Sequence, residues 1–180
     1  MANHMETYVQ IQNGDMHIAE KLKEIFTPIE GEYQCDASDL LARLDNTPPT
    51  DYDRGWMIDE VGAKWMYSEF EYDDNPDFIQ LHLTSAWSVP QGFLQQLAKA
   101  LYTIKEDCYI VGTFEDESYD PIGAFVYAKG YDDIEDYDID IDYDKIWEDD
   151  EYRDELYDKN AELRDELESL YKQQLEEEND

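Results

Sequence analysis

Residues 88–104 read SVPQGFLQQLAKALYTI, and their spacing decides the fold. Phe93, Leu94, Leu97, Leu101 and Ile104 recur at the three- and four-residue intervals that gather side chains on one side of an α-helix. Ser88 stands where a capping side chain is expected, and Pro90 suits a first turn because its missing N–H has no intrahelical partner there. A helix with such a stripe must lay it on another element. The runs on either side are the candidates. AKWMYSEFEYDD and DFIQLHLTSAW precede it, CYIVGTFED and IGAFVYAKG follow it, and all are rich in β-branched and aromatic residues between turn formers. They predict one hairpin over about 63–87 and a second over about 108–129.

Further upstream, ETYVQIQ at 6–12 alternates around Tyr8, Val9 and Ile11 and runs into Asn-Gly-Asp, the pattern of a strand closed by a turn. Asp15 is placed to cap MHIAEKLKEIF, which sets Ile18, Leu22, Ile25 and Phe26 on one face before Pro28 ends the helix. Residues 30–63 hold a Pro-Pro turn and several Asx-type turn formers, and read as an insertion carrying one short helix near 36–45. The order is β-α-β-β-α-β-β. It predicts an α+β fold of the ferredoxin-like, split β-α-β kind: an antiparallel sheet with two helices on one face, an extra strand and an acidic C-terminal helix. Residues 1–130 form the expected body, and 131–180 an acidic strand and helix appended to the same domain.

The 180 residues are 42% hydrophobic, enough for one core of ordinary size. Against 13 Lys and Arg stand 47 Asp and Glu, a net charge of −34. Affinity for a phosphate backbone depends on basic side chains displacing counterions, so direct binding of DNA, RNA or an anionic membrane surface is disfavoured. Basic proteins and cations are the natural partners. Fifteen tyrosines and four tryptophans argue for a folded chain, since acidic disordered segments are poor in aromatics. Cys35 and Cys108 can make at most one disulfide and lack the clustered spacing of a zinc or iron–sulfur site. A soluble protein of the reducing cytoplasm is expected, without a leader or a membrane span.

Charge is concentrated late, with 23 acids and 5 bases in residues 131–180. Within DIEDYDIDIDYDKIWEDDEY, residues 133–152, an aspartate occupies every second position from Asp136 to Asp144. As a strand this would place Asp136, Asp138, Asp140, Asp142 and Asp144 on one face, about 6.6 Å apart, and Tyr137, Ile139, Ile141 and Tyr143 on the other. That step is comparable to the spacing of successive phosphates in a nucleic acid. A solvent-facing edge strand, protected by charge against aggregation, explains the same pattern. From about Glu148 the period changes, and Leu156, Leu163, Leu167 and Leu170 mark a long helix. Asn160 and Gln174 interrupt that seam, so the helix is expected to pack on the body or to self-associate weakly.

A search for catalytic constellations finds none. The chain has three histidines, His4, His17 and His82, each placed as a structural or solvated residue. Phosphate-loop, nucleophile-elbow and zinc-protease motifs are missing from the sequence. A calcium loop starting at Asp140 would have Lys145 at its sixth position, and one starting at Asp138 would have Tyr143, where the sharp turn calls for glycine. No enzyme activity, cofactor or metal is expected.

Three segments carry a family resemblance: MANHMETYVQIQNGD at the start, GWMIDEVGAKWMYSEFEY with Gly62, Lys64 and Trp65, and LTSAWSVPQGFLQQLAK. Together they resemble the YubB/Api92-like proteins of phages and plasmids over roughly residues 1–130. The resemblance implies a ferredoxin-like domain and a mobile-element origin, with no established reaction. Trp56, Trp65 and Trp87 within it read most simply as core or sheet-packing residues. Combined with the charge, the expectation is a phage-encoded acidic inhibitor that occupies the nucleic-acid-binding surface of a basic host protein such as a defence nuclease. Asp136, Asp138, Asp140, Asp142, Asp144, Glu148, Asp149 and Asp150 would make the contact, with Tyr137 and Tyr143 anchoring the strand or stacking at the rim. An assembly module with a solubilising acidic surface is the alternative, and a cation-binding protein the third.

Overall fold

A computed structural model describes residues 3–30, 32–71, 79–137 and 141–179. Among them are seven strands, β1 (His4–Gln12), β2 (Cys35–Asp36), β3 (Met66–Glu71), β4 (Gln80–Ala86), β5 (Tyr109–Asp116), β6 (Ile122–Ala128) and β7 (Tyr131–Tyr137). Six helices accompany them: α1 (Met16–Phe26), α2 (Ala37–Arg43), α3 (Arg54–Val61), α4 (Gln91–Ile104), α5 (Tyr143–Glu148) and α6 (Asp150–Asn179). The strands form one antiparallel sheet in the order β2-β3-β4-β1-β5-β6-β7. The chain is therefore α+β, with a broader sheet than the expected ferredoxin-like core.

Local chemistry accounts for the helix ends. The Asp15 carboxylate accepts from the amides of His17 and Ile18, at 2.9 and 3.1 Å, and starts α1 as expected. Ser88 does not cap α4. Its hydroxyl donates to the Gly62 carbonyl at 2.7 Å, and Pro90 occupies the cap position without a side-chain bond. Gly62 ends α3 at φ +89°, a left-handed conformation that favours glycine, and a Cβ there would press on the Gln91 amide at 3.0 Å. The 30–63 insertion differs from expectation by holding two helices and an edge strand: Asp36 and Asp53 each cap a separate helix on either side of the Pro-Pro turn.

The main core lies on one face of the sheet. Val9, Leu83, Ile110 and Phe125 from the strands meet Leu22 and Phe26 of α1 and Phe93, Leu97 and Leu101 of α4. Leu40 and Leu41 of α2 and Val61 of α3 join the same cluster, so four helices feed the face where two were expected. Between β5 and β6 two glycines admit two rings. Gly112 is paired with Phe125 and Gly123 with Phe114, and each phenyl ring lies where the opposite Cβ would be.

The opposite face is divided. Over β5 and β6, the side chains of Leu163, Leu167 and Tyr171 of α6 pack on Tyr109, Val111, Ala124, Val126 and Ala128 as a second apolar cluster. Over β1, β3 and β4, Tyr8 and Tyr67 remain 44% and 42% exposed. Cys35 and Cys108 are buried free thiols. No helix among the described residues is long and apolar enough to cross a membrane.

Candidate functional site

The acidic segment adopts a different form from the strand expected over 136–144. β7 ends at Tyr137, and by Tyr143 the backbone has entered α5. Asp138 and Asp140 lie outside the described residues. Asp136, opposite Gly123 in the ladder, is exposed. Asp142 is the N-cap of α5, its carboxylate accepting from the Lys145 amide at 3.4 Å, and Asp144 lies in the first turn. Acids are favoured at a helix start because they satisfy free amides and face the positive end of the peptide dipoles. An alternating Asp pattern supports that outcome as readily as a strand.

The remaining acids of this segment divide by role. Asp149 accepts from the Glu151 and Tyr152 amides at 3.1 and 3.2 Å and so opens α6, while Asp150 is paired with Arg153. Glu148, the last residue of α5, projects into solvent. Tyr137 closes β7 at 38% exposure. Tyr143 stands in α5 and not in a strand, and it donates to the Asp120 carboxylate at 3.1 Å, which ties α5 to the β5–β6 turn. Beside them Trp147 is 72% exposed, an aromatic surface the sequence pattern did not single out.

α6 carries the ordered acidic array. Leu156, Asn160, Leu163, Leu167 and Tyr171 are buried on one side, and Glu151, Glu155, Asp158, Glu162 and Asp165 are exposed on the other. Asn160, expected to weaken the seam, instead donates to the Phe114 carbonyl at 3.2 Å and docks the helix on β5. Tyr171 takes the buried position expected of Leu170, which is 45% exposed, because its ring packs against those of Tyr109 and Tyr131. The seam expected to allow self-association is occupied by the sheet. The exposed acids follow one another at about one per turn, or 5.4 Å along an axis that spans about 45 Å. Several of the chain's bases are already engaged: Lys105 with Asp107, Lys129 with Glu106, Arg164 with Asp165 and Lys172 with Glu168.

Another cluster, assembled by strand register, runs from the uncovered half of the second face to β5 at the edge of α6. Glu115, Glu6, Thr84 and Tyr67 line up across β5, β1, β4 and β3, and Thr113, Tyr8, His82 and Glu69 form the next row on the same face. Tyr8 and His82 stack at 4.9 Å with planes 7° apart. Glu6 is 2.7 Å from His82 Nε2 and accepts from the Thr84 hydroxyl at 2.8 Å, while Glu69 lies 3.6 Å from His82 Nδ1. A groove of about 420 Å³ runs along Tyr8, Gln10, Glu69, Gln80 and His82.

Glu115 is only 9% exposed, and no described residue bonds or ion-pairs with its carboxylate. Burial, then the neighbouring Glu6 charge, pushes its pKa up to about 7 against the smaller opposing effect of His82. Burial and the Glu115 and Glu6 charges raise the Tyr8 hydroxyl to about 12. The sequence treats His82 as structural or solvated, and Glu6 and Glu115 carry no motif at all. Only their pairing across the sheet brings them together.

Trp87, expected as a core or sheet-packing residue, is half exposed at φ +66°, with Arg54 5.3 Å and Lys64 5.2 Å from its ring centre. These two bases are held against an aromatic face. No family model, no curated protein and no solved structure matches this chain.

Proposed function

We propose that the protein binds a basic partner and occupies the surface with which that partner holds nucleic acid. The observation that carries this reading is the row of exposed carboxylates on α6, held in register by the buried seam beneath it. A flexible polyanion would pay conformational entropy on binding, whereas a docked helix presents its charges already ordered. The row replaces the strand of aspartates as the principal array. Asp136, Asp144 and Glu148 extend the acidic surface, with Trp147 as its aromatic anchor. The mode of action is occupancy without catalysis.

The central strand order β3-β4-β1-β5, with α1 and α4 in the crossover connections, supports a ferredoxin-like core enlarged by β2, β6 and β7. The family resemblance supports a phage or plasmid origin, and with it a target such as a host defence nuclease in the cytoplasm. An assembly module is the second reading, favoured by the exposure of Trp147.

Capture from host lysate at low salt tests the first reading. Nucleic-acid-binding proteins should be retained, released by added duplex DNA, and lost when Glu151, Glu155, Asp158 and Glu162 are changed to their amides. Retention that persists in about 1 M salt, where screening acts within about 3 Å, and that ignores DNA would favour assembly instead.

A further inference from the structure

None of the seven strands contains a Lys or Arg. The open half of the sheet therefore gathers Glu6, Glu69 and Glu115 around a flat aromatic pair with no strand-borne cation to compensate them. Glu6 and Glu115 face each other directly in the β1–β5 ladder, where like charges repel. His82 partly offsets Glu6 and Glu69, but Glu115 keeps no bonding partner among the described residues despite being nine-tenths buried. An acid in that state gains from any cation that reaches it.

We infer that this face is a receptor for an arginine side chain of a basic polypeptide, its guanidinium lying on the Tyr8 ring of the Tyr8–His82 stack and bridging the carboxylates of Glu6 and Glu115, which are paired across β1 and β5. Arginine fits better than lysine for three reasons. Its plane matches the stacked rings, its fork of donors can serve two carboxylates, and its weak hydration suits a partly buried site. A nucleic acid could stack on the same rings, but its phosphates would meet the carboxylates. The site lies where the open half of the sheet meets the edge of α6, with Glu115 at that border, and does not require α6 to mimic a phosphate strand.

The test is calorimetric titration at pH 8 with two capped five-residue peptides, Ala-Arg-Ala-Arg-Ala and Ala-Lys-Ala-Lys-Ala. The arginine peptide should bind about tenfold more tightly. Tyr8→Ala and the Glu6→Gln/Glu115→Gln pair should each lose at least about tenfold, and Tyr8→Phe, which keeps the ring, should retain binding. In carboxyl-carbon NMR the bound peptide should lower the Glu115 ionisation point by about one pH unit or more. The amide variant of the α6 row should keep the arginine preference, which separates this site from the helix. Equal affinity for the two peptides, indifference to Tyr8→Ala, loss of the preference in the α6 variant, or tighter binding of a single-stranded RNA pentamer would each overturn the assignment.

Discussion

Replacing Glu115 by Gln should stabilise the protein in alkali and leave it nearly unchanged in acid. The carboxyl faces Glu6 and Tyr8 of β1, His82 of β4 and Tyr157 of α6, and burial is the largest influence on it. Its pKa rises on folding from an ordinary 4.5 to about 7. A folded-state pKa above the unfolded value means that the native protein holds the proton more tightly. This contribution to stability is fully present below pH 4.5 and disappears as pH rises through about 7. At about 1.4 kcal/mol per pH unit, the loss is about 3 kcal/mol. Gln cannot ionise and escapes it. Urea unfolding of the two proteins should therefore give curves that nearly coincide at pH 4.5 and diverge by about 3 kcal/mol at pH 8.5, with the variant the more stable. In thermal melts the gap corresponds to about 6–12 °C for a chain of this size. Carboxylates remote from Glu115 contribute equally in both proteins and cancel. An advantage that is the same at both pH values, or a variant less stable at pH 8.5, would show that Glu115 is not an uncompensated buried acid.

Leu167→Ala, at a position 1% exposed, should cost about 2–5 kcal/mol and accelerate amide exchange in α6 before β1 or β4, because it empties the seam that docks the helix. Gly112→Ala should destabilise more than an ordinary surface change, by about 3 kcal/mol or more in denaturant melts, since the new methyl collides with the Tyr8 carbonyl and lies 2.6 Å from the Phe125 ring. Trp147→Ala should leave the melting temperature within about 2 °C of the parent while weakening capture of the basic partner by at least about fivefold, the separation expected of an exposed anchor.

Much of the architecture could be read from local pattern. The Asp15 cap and the apolar spacing of α1, the stripe of α4, the alternation in β1 and β4, and the apolar runs of β5 and β6 each depend on neighbours a few residues apart, and each element forms about where expected. Residues 131–144 were harder because alternating aspartates satisfy two local rules at once: they suit an exposed strand, and they also suit a helix cap. The chain uses both, β7 up to Tyr137 and the Asp142 cap of α5. Trp87 is not legible from its residue type because a large ring usually seeks the core, and here it lies half exposed against Arg54 and Lys64.

By itself, then, the sequence determined the sign of the net charge and the identity of the amphipathic elements: net charge follows from composition, and periodicity from spacing along one chain. Tertiary structure alone decided where the charge becomes ordered. The α6 carboxylates form a fixed row because Leu163, Leu167 and Tyr171 find small and aromatic residues on β5 and β6 to pack against. Glu6, Tyr8, His82 and Glu115 meet because antiparallel register sets β1 between β4 and β5, and residues distant in the chain become neighbours only through that pairing.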